Sequence, residues 1–252
     1  MTTKTRIATF AAALSIGLGA SLNAQALATF GSAELAGFGE GSALLGTSLS
    51  TGSLGWGPMA TVVAQTYRYS SDPATNSHAQ AYAISPSVGL QYSMPTGAVS
   101  AGVGYTFVNT EFNGIISGAE VGGRSGTFVT GQANYWGDGE NSAQLIGSYG
   151  FKSEYYWSRA RAAHRLSPSA TPVYLGAEFV LQGAPNGYLV SPGGGVRSGI
   201  SVTRYEVGPT IEYRATPEFR VGASGGFRGG NNNAVSSGYA RIEFLLLTKL
   251  GM

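Results

Sequence analysis

SAQLIGSYGFKSEYYWSRARAAHRLSPSATPVYLGAEFVLQ, residues Ser142 to Gln182, decides the fold of this chain. Residue character switches at every second position along it. Arg159, Arg161 and Arg165 fall on one parity, while Tyr156, Ser158, Ala160 and Ala162 fall on the other. Further on, Val173, Leu175, Ala177, Phe179 and Leu181 share one face, and Glu178 and Gln182 take the opposite one. A period of two places successive side chains on opposite faces of a β-sheet. A sheet that is apolar on one face and carries Arg and Glu on the other needs two solvents. Hydrocarbon around a closed barrel, with water or ion pairs inside it, supplies both.

Working outward, the N-terminus reads as an export signal over 1–26. Lys4 and Arg6 precede an apolar run, Ile7 to Gly19, and Ala24-Gln25-Ala26 forms a small-residue cleavage site. That run is shorter than the roughly 20 residues a membrane-spanning helix needs. Any crossing would therefore use β-structure, because only helices and closed barrels satisfy every backbone polar group in lipid. The mature chain, 27–252, has the length of one barrel domain. The formal charge of +2 is carried by Lys4 and Arg6, so the mature chain is neutral and no nucleic-acid partner is expected. With no cysteine, disulfides and thiolate metal sites are excluded. Glycine is abundant at 39 of 252 residues, but 11% aromatic content and regular alternation argue for an ordered all-β chain.

Twelve strands are predicted, near 29–36, 42–50, 57–70, 78–92, 98–111, 125–136, 142–150, 155–166, 173–182, 200–213, 218–228 and 235–247. Dropping the first two leaves the alternative of ten. Tyr82, Ile84, Pro86, Val88, Leu90 and Tyr92 share a face, with the two tyrosines bracketing an apolar band as aromatic girdles do. The run 57–70 does not separate by parity. Pro86 removes a ladder donor in mid-strand and predicts a bulge or local break. Alternate connections are short and carry turn residues, as in Pro95-Thr96-Gly97, Gly137-Asp138-Gly139-Glu140 and Ala215-Thr216-Pro217. The two long ones, Gly114–Arg124 and Gly183–Gly199, fall on the other side. That asymmetry belongs to outer-membrane barrels, with both termini on the periplasmic side.

The inward parity gathers Arg159, Arg161, Arg165, Glu178, Arg204, Glu206, Glu212, Arg220, Arg241 and Glu243. One reading makes them ion pairs across neighbouring strands that fill a narrow lumen, since unpaired buried charge is costly. The other makes Arg159, Arg161 and Arg165 a ladder that guides an anionic or hydroxyl-rich chain. Catalysis is not expected. A barrel esterase needs histidine beside a serine nucleophile, whereas His78 and His164 are followed two residues on by Gln80 and Leu166. No cluster has metal-ligand spacing, so neither metal nor cofactor is expected. Tyr155, Tyr156 and Trp157 read as interface anchors, with a sugar-stacking platform as the alternative. Gly193-Gly194-Gly195 and Asn231-Asn232-Asn233 read as loop.

The order AQLIGSYGF (Ala143–Phe151), YYWSRARAAHRL (Tyr155–Leu166) and VYLGAEFVLQG (Val173–Gly183) resembles the cellulose biosynthesis protein family of the BcsS type. So do YEVGPTIEYR (Tyr205–Arg214) and SSGYARIEF (Ser236–Phe244). The resemblance implies an outer-membrane barrel linked to cellulose production and carries no active-site residue. One departure is the end of the chain, Leu250-Gly251-Met252, where many such barrels finish on an aromatic residue.

These readings combine into a closed antiparallel up-and-down transmembrane β-barrel that is not an enzyme. Its expected partners are outer-membrane lipid and cellulose or another polysaccharide with its export machinery. The competing classes are a small outer-membrane enzyme acting on lipid or glycan, a general small porin, and a soluble secreted β-sandwich.

Overall fold

The structure is a computed structural model that describes residues 26–51, 53–72, 77–113, 118–119, 125–137, 139–166, 172–190, 196–231 and 236–249. The expected signal segment lies outside these residues, apart from Ala26. So do the glycine string at 193–195 and Asn232 and Asn233.

Alternation of the sequence becomes a ring of antiparallel strands. In chain order they are β1 (Ala26–Ala36), β2 (Gly41–Ser50), β3 (Gly55–Asp72), β4 (Ser77–Met94), β5 (Gly97–Asn113), the two-residue β6 (Gly118–Ala119), β7 (Gly126–Tyr135), β8 (Asn141–Gly150), β9 (Tyr155–Arg165), β10 (Val173–Val190), β11 (Val196–Arg214), β12 (Phe219–Gly230) and β13 (Ser237–Lys249). Each strand but β6 pairs with its neighbours in sequence, and β1 also pairs antiparallel with β13 from Ala26↔Lys249 to Ala36↔Tyr239. Twelve strands thus close a barrel, which leaves no unpaired edge in the wall. No helix among the described residues is long and apolar enough to cross a membrane. The crossing elements are strands, and even the shortest, at 10 residues, meets the length a tilted transmembrane strand requires.

Outward residues carry the apolar surface. Val88 and Leu90 are both 56% exposed, Val103 59% and Ile242 64%. Aromatic pairs flank this band. Trp56 and Tyr92 lie 5.2 Å apart at the end that holds both termini of the barrel. Tyr105–Phe107, Tyr149–Phe151 and Tyr205–Phe227 lie toward the other, far end. Tyr82 and Tyr92 are ten residues apart, about 33 Å along a strand, which a tilt of about 40° projects onto the ~25 Å apolar band of such barrels.

Three local features refine the sequence reading. Pro86 does break a ladder: pairing of β4 with β5 skips Ser85 and Pro86 and resumes in the same register, so there is a gap and no bulge. Opposite it, a Cβ on Gly104 would sit 2.4 Å from the Pro86 carbonyl oxygen, so only glycine allows that approach. On β3, Thr61 Oγ1 donates to Ser48 Oγ at 2.9 Å on the inner wall. Met59, Val63 and Gln65 therefore face in, and Ala60, Val62 and Ala64 face out. Both sets are largely apolar, which is why no parity was legible there.

The expected long loop Gly183–Gly199 is mostly strand instead. β10 runs to Val190 and β11 begins at Val196, with register shifts around Gly187. This hairpin rises above the shorter strands beside it, where no lipid imposes polar–apolar alternation and backbone pairing alone sustains the ladder. β6 likewise interrupts the expected loop 114–124 and pairs with Leu189–Val190 of β10.

Candidate functional site

Period-two parity puts every charged side chain named from the sequence on the inner wall. Glu178 and Glu206 are only 2% and 1% exposed, and Arg241 is 7% exposed. Charges so deeply buried persist only with several partners each, and they have them. Arg241 donates through Nη1 to Glu178 Oε1 at 2.7 Å, through Nε to Glu34 Oε2 at 2.9 Å and through Nη2 to Glu206 Oε2 at 2.5 Å. Arg228 donates to Glu206 through Nε at 2.9 Å and to Glu40 at 3.1 Å, and also reaches Glu34. Arg161 donates to Glu178 Oε2 at 2.7 Å and to Glu243, while Arg159 reaches Glu243 at 2.9 Å. Arg204 completes the set through Glu40 at 3.2 Å. Five arginines meet five glutamates, and the bundle carries no net charge.

Ser224 and Tyr239 hydroxyls donate to Glu178 Oε1 at 2.7 and 3.2 Å, filling the remaining acceptor positions of that carboxylate. A smaller group lies toward the terminal end. Arg214 donates to Glu212 at 2.6 Å and stacks 3.8 Å from the Tyr174 ring centroid. Arg220 lies 3.9 Å from Glu212. Arg165 shares their inward parity on β9, and its backbone N–H donates to the Glu140 carbonyl at 2.7 Å.

The ion-pair reading is thereby realised, with a change of geometry. Only some pairs join neighbours. Arg161–Glu243 spans β10, β11 and β12, and Arg241–Glu178 spans β11 and β12. The bundle crosses the lumen as well as lining it. Glu34, Glu40 and Arg228 complete it, and Arg214 joins the smaller group, although the sequence reading did not include them. Arg228 shares parity with Arg220, and Arg214 with Glu212, so both were legible. Glu40 lies outside the strands, just beyond the 3-10 turn Gly37–Gly39, where alternation says nothing.

Two further expectations change. Tyr155, Tyr156 and Trp157 do not anchor the interface together. Tyr155 has Arg159 parity and donates to Gln182 Oε1 at 2.7 Å inside the barrel. Trp157 shares that parity, paired with inward Ser148. Only Tyr156 is on the outer wall, where it meets Thr203 at 3.0 Å. His164 also faces out, with Nδ1 2.9 Å from Asn141 Oδ1. The His78 side chain lies outside what is described. Among the described residues no group of three or more His, Asp or Glu could hold a metal ion.

A closed, twelve-stranded antiparallel barrel with a lipid-compatible exterior and a buried ionic interior defines the chain as a barrel of the outer-membrane type. It is similar to an outer membrane channel from Pseudomonas putida F1 (TM-score 0.52, 10% identity, covering 89% of this chain and 96% of that one). The β domain of the Bordetella autotransporter BrkA is also similar (TM-score 0.50, 11% identity, 87% and 98% covered). So is the monoaromatic hydrocarbon channel TodX (TM-score 0.50, 7% identity, 91% of each chain). At these identities the likeness concerns the fold alone. Among curated proteins none matches the sequence significantly. The chain belongs to the cellulose biosynthesis protein BcsS family, which it matches over residues 18–247.

Proposed function

We propose that this chain is a non-enzymatic barrel of the bacterial outer membrane that supports export or surface attachment of cellulose or a related exopolysaccharide. The observation that carries this reading is the closed ring with lipid-facing residues outside and a polar, ion-paired interior. Such a body is built to sit in a membrane and present its lumen and rims to a polymer. Family membership supplies the cellulose context. The terminal end, with the short turns, is assigned to the periplasm, and the far end, where β3–β5 and β10–β11 project, to the cell surface.

The test is deletion of the gene in a cellulose-producing host, with dye binding as readout and lipid profiles as control. Loss of surface cellulose with unchanged phospholipid and lipid A is expected. Normal cellulose with an altered lipid profile would instead favour an enzyme acting on lipid.

A further inference from the structure

The lumen is not the same on its two sides. From β10 round to β1 it is filled by the ion-pair bundle, whose centre, Glu34, Glu178, Glu206, Arg228 and Arg241, is buried. On β2 to β8 the described inward positions carry no charge at all. They are Ser, Thr, Gly, Ala, Gln and Asn with Tyr67 and a few apolar side chains, and on β7 and β8 every inward residue remains half-buried. The charged half is thus packed around its ion pairs, whereas in the neutral half Ala81, Ala83 and Ser87 of β4 are buried and the inward faces of β7 and β8 stay partly open.

That neutral wall is ordered along its length. Near the far end, Phe128 and Tyr155 flank Gly150 in register. One row deeper, Thr130 and Ser148 lead to Trp157. Deeper still come Gln132 and then Asn134, whose Oδ1 accepts from Gln144 Nε2 at 2.9 Å. Gln144 Oε1 in turn accepts from Arg159 at 2.5 Å, so the bundle's edge is tied off by an amide. Rings, then hydroxyls, then amides follow one another down the wall. Tyr155 and Trp157, which alternation aims inward, stand at its border.

We propose that this wall is a track for a single uncharged, hydroxyl-rich glucan chain, held by stacking on Trp157, Tyr155 and Phe128 and by hydrogen bonds from Thr130, Gln132 and Asn134. The inference rests on the cellulose reading above and names what the barrel would hold. A glucan ring has apolar C–H faces that suit aromatic rings, and equatorial hydroxyls that suit amides and hydroxyls, which both donate and accept. An acidic glycan finds no free cation in the bundle, because Arg159 and Arg161 are already neutralised by Glu243 and Glu178. Desolvating its carboxylates against a neutral wall would go uncompensated.

The experiment uses the full-length barrel refolded in detergent micelles. Tryptophan fluorescence is titrated with cellohexaose and, separately, with a galacturonate oligomer of the same length. Cellohexaose should quench the emission saturably and the acidic oligomer should not. Trp157→Phe should keep binding as read by calorimetry, while Trp157→Ala should weaken it by about three- to tenfold. Heat-modifiable gel migration confirms that each variant is folded. Equal binding of both oligomers, or unchanged affinity in Trp157→Ala, overturns the track. Absence of cellohexaose binding beside a cellulose defect on deletion overturns the track alone. Normal cellulose on deletion removes the reading beneath it, whatever the fluorescence does.

Discussion

Arg241 of β13 holds Glu178 of β10 at 2.7 Å, with two strands of the wall between them. The same guanidinium holds Glu34 of β1 and Glu206 of β11. One side chain therefore ties the last strand to the first and both to the middle of the charged half. Its removal would leave three buried carboxylates short of a cation. Arg241→Ala should destabilise the barrel by about 3–5 kcal/mol, as breaking buried pairs does. Urea unfolding in lipid vesicles, followed by gel migration, reads this directly.

The seam between β1 and β13 has a defined register, with Ala33 opposite Ile242. Directly opposed residues in an antiparallel pair have Cα atoms about 4.5–5.5 Å apart, within disulfide reach. The chain lacks cysteine, so the test is clean. Ala33→Cys with Ile242→Cys should cross-link on oxidation, and Ala33→Cys with Leu246→Cys should not. Equal cross-linking of both pairs would contradict the register.

Val103, on the outer wall between the girdles, is 59% exposed. In hydrocarbon, Val103→Arg should cost about 2–4 kcal/mol, as for arginine near the midplane of other barrels. Ser148→Arg, facing the lumen, should cost less. Folding yield into vesicles compares the two. Equal costs would mean that Val103 does not face lipid.

Gly104 and Gly131 predict opposite tolerances for one added methyl group. A Cβ at Gly104 meets the Pro86 carbonyl at 2.4 Å and the Phe128 ring at 2.6 Å, while at Gly131 the nearest atom is 3.8 Å away. Gly104→Ala should lose about 1–3 kcal/mol through overpacking, and Gly131→Ala should be close to neutral. Denaturant midpoints of the two variants measure the difference.

The all-β class, the strand count and the inward set were legible because each depends on local chemistry. Side chains two apart share a face whatever the rest of the chain does. Arg159, Arg161 and Glu178 could therefore be assigned to the interior from parity alone. Tyr155 and Trp157 share the parity of Arg159 and so face in, against the interfacial reading that their run of three aromatics invites. Where both faces are apolar, as on β3, or where strands leave the hydrocarbon, as on β10 and β11, alternation fades and so did the reading.

By itself the sequence determined which residues face in and which face out, since that follows from a period of two along one strand. Only the closed ring decided which inward charges meet. Arg161 reaches Glu243, and Arg241 reaches Glu178, because β13 seals against β1 and brings strands distant in the wall within reach across the lumen. Closure likewise set the division of that lumen into an ionic half and a neutral half. No strand carries that division alone, for it arises from the order in which twelve strands are arranged around a common axis.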